Sequence, residues 1–373
     1  MANRKVHRLG LDEDIVTRLT RHKILTCQDL LTKNRLELLR IFNTCEPRIR
    51  EAIMKASRAC APTSTKALQL CERNTGSCPG FLPTSLTTLD QLLQGGLLSG
   101  TITEIAGPPG CGKTQFCMML SVLATLPVGM GGLNGSVMYL DTESAFSAER
   151  MVEMAQCRFP DYFLSEEALM NLVEKVHISV ESTCSDLLQR LETVEEDLIE
   201  KGIRLVILDS VASPVRKEFD GRLGRNMVER TNLLSKQAAI LKYLAEEFSI
   251  PVVVTNQITT HYASPAEQNH VTMETDDSAS SFSVATSDGG EGHVTTALGN
   301  TWSHNVNTRL ILQYLDEVQR EVLIAKSPLA PFAKVTYTIQ DAGLVCRDGD
   351  AVSTFRGTDP GLQKIRVRSA ISR

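Results

Sequence analysis

One short stretch constrains this chain more than any other. The apolar run Thr101 to Ala106 leads into Gly107-Pro108-Pro109-Gly110-Cys111-Gly112-Lys113-Thr114, and the helical pattern Phe116 to Leu123 follows. This is G-x-x-x-x-G-K-S/T between a strand and a helix. Its glycines let successive backbone N–H groups turn toward one point, and the helix N-terminus adds positive potential there. Gly107, Pro108, Pro109, Gly110, Cys111 and Gly112 are read as a phosphate cradle. Lys113 reaches the terminal phosphates of a nucleotide, and the Thr114 hydroxyl ligates Mg²⁺.

A strand–loop–helix unit of this kind calls for an α/β sheet, and the rest of the chain supplies one. Ser136 to Asp141, Val176 to Val180, Leu205 to Asp209 and Pro251 to Asn256 read as further strands. Leu187, Leu191, Val194 and Leu198 recur at helical spacing, as do Leu234, Ala238, Leu241, Ala245 and Phe248. Thr308 to Leu315, Val322 to Ala325 and Lys334 to Ile339 predict additional strands, antiparallel if the turn near Asp316 is tight. Ile258 to Asn300 is rich in Ser, Thr, Gly and Asp without sustained periodicity and reads as a long loop.

At 373 residues the chain exceeds one ordinary domain. Residues 1–60 read as a bundle of short helices, 61–85 as a Pro-, Thr- and Ser-bearing linker, 86–345 as the α/β core and 346–373 as a basic tail. The net charge of −5 excludes a protein coated in nucleic acid through bulk charge. Charge is nevertheless uneven: residues 1–60 hold thirteen Lys and Arg against seven Asp and Glu, whereas 161–200 hold two against eleven. Ten cysteines without a Cys-x-x-Cys pair read as reduced thiols rather than a metal site. No apolar run is long enough for a bilayer, and the charged first 20 residues do not form a secretory signal, so neither secretion nor a membrane is expected.

Carboxylates and amides at strand ends supply the remaining candidates. Asp209 ends the apolar run Leu205 to Leu208, 95 residues after Thr114, where a phosphate-loop fold holds its metal. Glu143 follows the strand that ends at Asp141, at the sheet edge where ligands sit, and can orient an attacking water. Asn256 and Gln257 are either γ-phosphate contacts or strand-end caps. Arg216, Lys217, Arg222 and Arg225 lie in a Gly-bearing loop after Asp209 and suit a nucleic-acid backbone, with a merely solvated loop as the alternative.

Taken together, Leu89 to Gly96, the phosphate loop with Gln115, Tyr139-Leu140-Asp141-Thr142-Glu143, Leu208-Asp209-Ser210 and Thr255-Asn256-Gln257 resemble the RecA-like recombinase family. Within it the likeness is to the eukaryotic strand-exchange recombinase and its paralogues, their B branch in particular. It covers residues 85–345 well and 1–60 more loosely. The resemblance implies a RecA-like ATPase domain with a small all-α N-terminal domain of helix-hairpin-helix type, ATP and Mg²⁺ at subunit edges, and DNA-stimulated hydrolysis in homologous recombination. It makes Glu143, Lys113 and Gln257 catalytic, with Gln257 as γ-phosphate sensor. It also makes Arg150 the adenine-stacking residue and His304 the sensor of a neighbour's nucleotide. Expected partners are other paralogues (the C paralogue directly, then D and the second X-ray-cross-complementing paralogue), single-stranded or branched DNA and the recombinase filament. The expected compartment is the nucleus.

Three departures from the family pattern shape the functional expectation. No Phe lies between residues 43 and 80, so the Phe-x-x-Ala self-assembly motif is missing. Ile41 to Arg48 lacks the hairpin glycine. The second DNA-binding loop carries Glu267, Glu274, Asp276, Asp277, Asp288 and Glu291 with no Lys or Arg. A subunit of a mixed complex is therefore expected rather than a homopolymeric strand-exchange enzyme. The rivals are a scaffold that keeps ATP as structural glue, and a phosphate-loop kinase or hexameric helicase.

Overall fold

The computed structural model describes residues 5–42, 46–61, 66–69, 80–219, 227–262, 282–285, 291–296, 298–346 and 353–355. It divides into two compact units, Met1–Ser77 and Cys78–Arg373. In the first, helices α1 (Glu13–Arg21), α2 (Cys27–Thr32), α3 (Arg35–Phe42) and α4 (Glu46–Cys60) surround a core of Ile15, Leu19, Leu30, Leu38, Phe42 and Ile49. Thr26 starts α2 with a reciprocal cap. Its hydroxyl accepts from Asp29 N at 3.1 Å, and Asp29 Oδ2 accepts from Thr26 N at 2.9 Å, satisfying two donors that the helix leaves open. Leu36 faces solvent.

The second unit is built on a mixed sheet. In chain order its elements are β1 (Phe81–Leu82), α5 (Thr87–Leu92), β2 (Leu97–Leu98), β3 (Ile102–Gly107), α6 (Lys113–Thr125), β4 (Ser136–Asp141), α7 (Ala148–Arg158), α8 (Glu166–Lys175) and β5 (Val176–Val180). They continue with α9 (Cys184–Glu200), β6 (Ile203–Asp209), α10 (Ala212–Phe219), α11 (Met227–Phe248), β7 (Val252–Tyr262), β8 (Phe282–Ala285), β9 (Glu291–Thr296) and α12 (Gly299–Asn305). The last strands are β10 (Thr308–Tyr314), β11 (Arg320–Lys326), β12 (Phe332–Gln340), β13 (Gly343–Cys346) and β14 (Ser353–Phe355). The main path runs β13-β12-β11-β10-β3-β7-β6-β4-β5. It is parallel from β10 to β5 and antiparallel from β10 to β13.

Strand alternation sorts the apolar residues onto two faces. Val137, Tyr139, Leu205, Ile207 and Val253 pack with Phe116, Leu120, Met151 and Met154 of α6 and α7. Met138, Leu140, Val206, Leu208 and Val254 pack with Leu187, Leu191, Leu234 and Leu241 of α9 and α11. Helices on both faces explain why the central strands read as continuous apolar runs. The turn between β10 and β11 is tight as required, with Asp316 Oδ1 accepting from Val318 N and Gln319 N.

Three expectations change. Residues 80–85, read as the end of the linker, belong to the sheet unit. Phe81 pairs with Leu98, and Thr84 donates to Asp90 from both its N–H and its hydroxyl, so its polar composition serves a turn. Strand β7 continues to Tyr262 where a loop was expected to begin at Ile258, because β9 pairs with it from Ile258↔Thr296 to Tyr262↔Gly292, and β8 pairs with β9. Residues 263–281, 286–290 and 297 of that stretch, with Glu267, Glu274, Asp276, Asp277 and Asp288, lie outside the described residues. Within the expected tail, Ser353–Phe355 pairs with Phe332–Lys334. Among the described residues no helix is long and apolar enough to cross a membrane, and no group of three or more metal-ligating side chains gathers.

A buried ion pair locks the centre. Glu104, on β3 and without solvent exposure, accepts from Arg309 Nε on β10, from Asn256 Nδ2 at 2.7 Å on β7 and from Trp302 Nε1 at 3.1 Å on α12. Arg309→Met should leave that carboxylate buried without its cation and lower the unfolding free energy by about 3–5 kcal/mol. Urea unfolding checks this; a loss under about 1 kcal/mol would mean that the pair contributes little beyond an apolar contact.

Candidate functional site

The loop between β3 and α6 is shaped by glycines with positive φ, +75° at Gly110 and +102° at Gly112. A Cβ at Gly110 would lie 2.6 Å from Tyr314 Oη, one at Gly112 2.7 Å from Ile339 Cδ1, and one at Gly107 2.5 Å from the Leu312 carbonyl. At Gly107 the obstacle is backbone, and at Gly110 and Gly112 the positive φ is what favours glycine. No side chain caps α6, whose first-turn N–H groups are therefore available to an acceptor in front of the helix. Lys113 Nζ donates to the carbonyls of Gly107 at 2.9 Å and Pro108 at 3.0 Å. A cleft of about 300 Å³ opens here, lined by Pro109, Gly110, Gly112, Lys113, Thr114, Gln115, Glu143, Asp209, Gln257 and Ile339.

Asp209 ends β6 at the floor of this cleft. Its Oδ2 accepts from Thr114 Oγ1 at 2.7 Å and Tyr139 Oη at 2.8 Å, and its Oδ1 accepts from Thr255 Oγ1. Burial pushes the Asp209 carboxyl above the usual carboxylate range, with the three hydroxyls pulling the other way and the Glu143 charge adding to the rise. Burial, with the nearby Asp209 charge, holds the Tyr139 phenol well above its ordinary value, so it stays a donor. Thr114 and Asp209 offer hard oxygen ligands. That donor set fits Mg²⁺, which binds through one or two protein oxygens together with phosphates and water.

Glu143 lies on the turn after β4. Its Oε1 accepts from Ser210 Oγ at 2.6 Å and Gln257 Nε2 at 2.9 Å. Ser210 follows a cis peptide bond and is itself held by Thr142, whose hydroxyl donates to Ser210 O at 2.7 Å and accepts from Ser210 N at 2.8 Å. Asp141 shapes the same turn by accepting from Glu143 N and Phe146 N, each at 3.0 Å. The two neighbouring amides separate by strand alternation: Gln257 joins Glu143 in the cleft, while Asn256 faces the opposite side and binds Glu104.

The outlying candidates divide. Arg150 reaches Gln115 at the cleft wall, with Nε donating to Oε1 at 2.9 Å, and its guanidinium also meets Glu153 and the carbonyls of Gln340 and Asp341. His304 is exposed on the short helix α12 and does not line the cleft. Arg216 and Lys217 are exposed, but on helix α10 rather than in a loop, because Ala212, Pro214 and Val215 bury a helical face that extends to Phe219. Arg222 and Arg225 lie outside the described residues.

Residue types alone did not single out Tyr139, Thr142, Ser210 or Thr255. Each stands inside a motif already quoted; for Thr142 and Ser210 the signal was a hydroxyl at a strand end beside a carboxylate, whereas Tyr139 and Thr255 lie within strands. Tyr314 and Tyr337, which donate to the loop carbonyls of Pro109 at 3.1 Å and Cys111 at 2.6 Å, had no sequence signal at all.

Comparison with known proteins agrees with this geometry. The Rad51 family model matches residues 81–347, and a model described as XRCC3/RpoA-like, helix-hairpin-helix domain, matches residues 6–60. The small unit thus carries the helix-hairpin-helix likeness although Ile41 to Arg48 lacks a glycine. The chain is 53% identical over 350 residues to the DNA repair protein RAD51 homolog 2 of Homo sapiens, covering 93% of this chain and 90% of that one. It is 31% identical over 380 residues to the protein of that name from Arabidopsis thaliana, covering 99% and 96%. It is also 28% identical over 318 residues to the DNA repair protein RAD51 homolog 3 of Cricetulus griseus, covering 81% and 77%. With one family model matching residues 81–347 and relatives aligned along nearly the full length, the chain belongs to the Rad51 family of RecA-like ATPases, as a recombinase paralogue resembling the B paralogue.

Proposed function

We propose that this chain is a slow, DNA-stimulated ATPase subunit of a heteromeric recombinase-paralogue complex. It binds DNA and assists homologous recombination repair of double-strand breaks and stalled forks. The observation that carries the reading is the meeting, in one cleft, of the glycine loop with Lys113, the Thr114–Asp209 pair, and Glu143 in contact with Gln257. The DNA-repair names of the relatives support the same direction, as does the match of residues 81–347 to the Rad51 family.

In this mechanism the loop N–H groups and Lys113 hold the β and γ phosphates of ATP, and Thr114 and Asp209 hold Mg²⁺. The metal supplies neutralisation of the charge that builds on the phosphate oxygens. Glu143 orients the attacking water and accepts its proton. Ser210 and Gln257 both donate to its Oε1 and fix the position of that oxygen. When the Gln257 amide turns toward the γ-phosphate, it gives up its bond to Glu143 and frees that oxygen for the water. Arg150, with Gln115 beside it, stacks on the adenine, and His304 senses the nucleotide of a neighbouring subunit.

Arg216, Lys217, Arg222 and Arg225 contact the backbone of single-stranded or branched DNA. The partners are other paralogues, the C paralogue directly and then D and the second X-ray-cross-complementing paralogue, together with the recombinase filament. The place of work is the nucleus. The pinning of Glu143 also favours a second reading, in which bound ATP is structural glue with negligible turnover.

Lys113→Ala should cost about 2–3 kcal/mol of ATP binding by removing a charge-assisted contact. Glu143→Gln should keep ATP bound and slow hydrolysis about 10²-fold. Nucleotide titration and phosphate release of the assembled complex, with and without single-stranded DNA, test both; equal turnover of wild type and Glu143→Gln in the presence of DNA would establish the glue reading. Four phosphate contacts give a salt slope on single strands of about −3. Charge reversal of the four cations should flatten it, and an unchanged slope would remove them from the DNA surface.

A further inference from the structure

We infer that Tyr337 and Tyr314 are positioning residues of the phosphate loop: their phenols hold the Cys111 and Pro109 carbonyls away from the cleft, so that the Gly112 and Gly110 N–H groups face into it. The inference rests on the loop's being a nucleotide-phosphate site, and it explains what keeps that site open before a phosphate arrives.

In a trans peptide the carbonyl of one residue and the N–H of the next point in opposite directions. A cradle for anions therefore requires that each N–H used has the preceding carbonyl turned outward, and a glycine-rich segment has little intrinsic preference for that orientation. A carbonyl that turned inward would present a partial negative charge to the phosphate.

The structure holds these planes from outside. Tyr337 Oη, on β12, donates to the Cys111 carbonyl at 2.6 Å, which fixes the 111–112 peptide. Tyr314 Oη, at the end of β10, donates to the Pro109 carbonyl at 3.1 Å, which fixes the 109–110 peptide. Pro108 and Pro109 have no N–H to offer, and the carbonyls of Gly107 and Pro108 are taken by Lys113 Nζ. The two N–H groups left to the phenol-held planes are those of Gly110 and Gly112, both in the cleft lining.

Neither phenol is an incidental surface contact of the loop. Tyr337 is without solvent exposure, and burial pushes its hydroxyl well above the ordinary tyrosine range, so it donates throughout physiological pH. Tyr314 is steadied by the Arg320 guanidinium, 5.2 Å from its ring centroid. A Cβ at Gly110 would stand 2.6 Å from Tyr314 Oη, so the phenol lies directly against the loop there.

The test uses the full chain and titrates MgATP and MgADP at a temperature well below unfolding. Tyr337→Phe keeps the ring and removes the donor, and should weaken both nucleotides about three- to tenfold, the factor of a hydrogen bond of ordinary net strength. Tyr314→Phe, at a more accessible position where folding is not at risk, should weaken them about two- to threefold. In nucleotide-free protein, amide exchange of a peptide spanning residues 107–115 should accelerate in both variants, while exchange in β11 stays as in wild type. A merely structural role predicts a lower melting temperature with unchanged nucleotide affinity and unchanged exchange in the loop, and that result overturns the inference. If Tyr337→Phe fails to fold, Tyr314→Phe and its exchange pattern decide. Lys113→Ala separates the two levels. Loss of binding there with unchanged affinity in both phenylalanine variants overturns only the inference, whereas wild-type affinity in Lys113→Ala overturns the nucleotide site and the inference with it.

Discussion

The carboxylate of Asp209 is the constraint on which the site depends. A charge removed from water is tolerated only with donors around it, and this one draws hydroxyls from three directions: Thr114 at the start of α6, Tyr139 on β4 and Thr255 on β7. Each donor reaches it only if the strands keep one register, with Tyr139 opposite Ile207, Asp141 opposite Asp209 and Leu208 opposite Val254. A one-residue slip would turn a donor to the other face of the sheet. The same register brings Glu143 beside Ser210 and Gln257. The chemistry at the sheet edge and the pairing in its middle are therefore one requirement.

A second carboxylate does the corresponding work on the opposite face. Glu104 gathers Arg309, Trp302 and Asn256, and so attaches α12 and β10 to the centre of the sheet. Strand β7 serves both anchors, since Thr255 faces Asp209, Asn256 faces Glu104 and Gln257 returns to the cleft. Between two such fixed points, Gln257 is held at the place where the strand leaves the parallel core. Directly beyond that residue β7 pairs with β9, from Ile258 to Tyr262.

Strands β10 and β12 also shape the cleft. They do not carry the phosphate loop, yet Leu312 and Ile339 limit its glycines and two phenols hold its carbonyls. The conformation of the glycine loop thus depends on residues outside the loop motif.

Local chemistry and periodicity determined much of this from sequence alone. The glycine loop, the strands ending at Asp141 and Asp209, the apolar stripes of α9 and α11, and Lys113, Thr114, Glu143 and Gln257 at one sheet edge are set by residues within a turn or two of each other. What tertiary structure decided involves partners far apart in the chain. Asn256 turned from the cleft to Glu104, Arg216 and Lys217 joined a helix because its inner face is buried, and Ile258 to Tyr262 became strand because β9 lies alongside. Tyr314 and Tyr337 found their carbonyls across more than two hundred residues. A periodic pattern states which face of an element is apolar; which distant hydroxyl completes a buried carboxylate or a loop carbonyl is settled only when the strands pair.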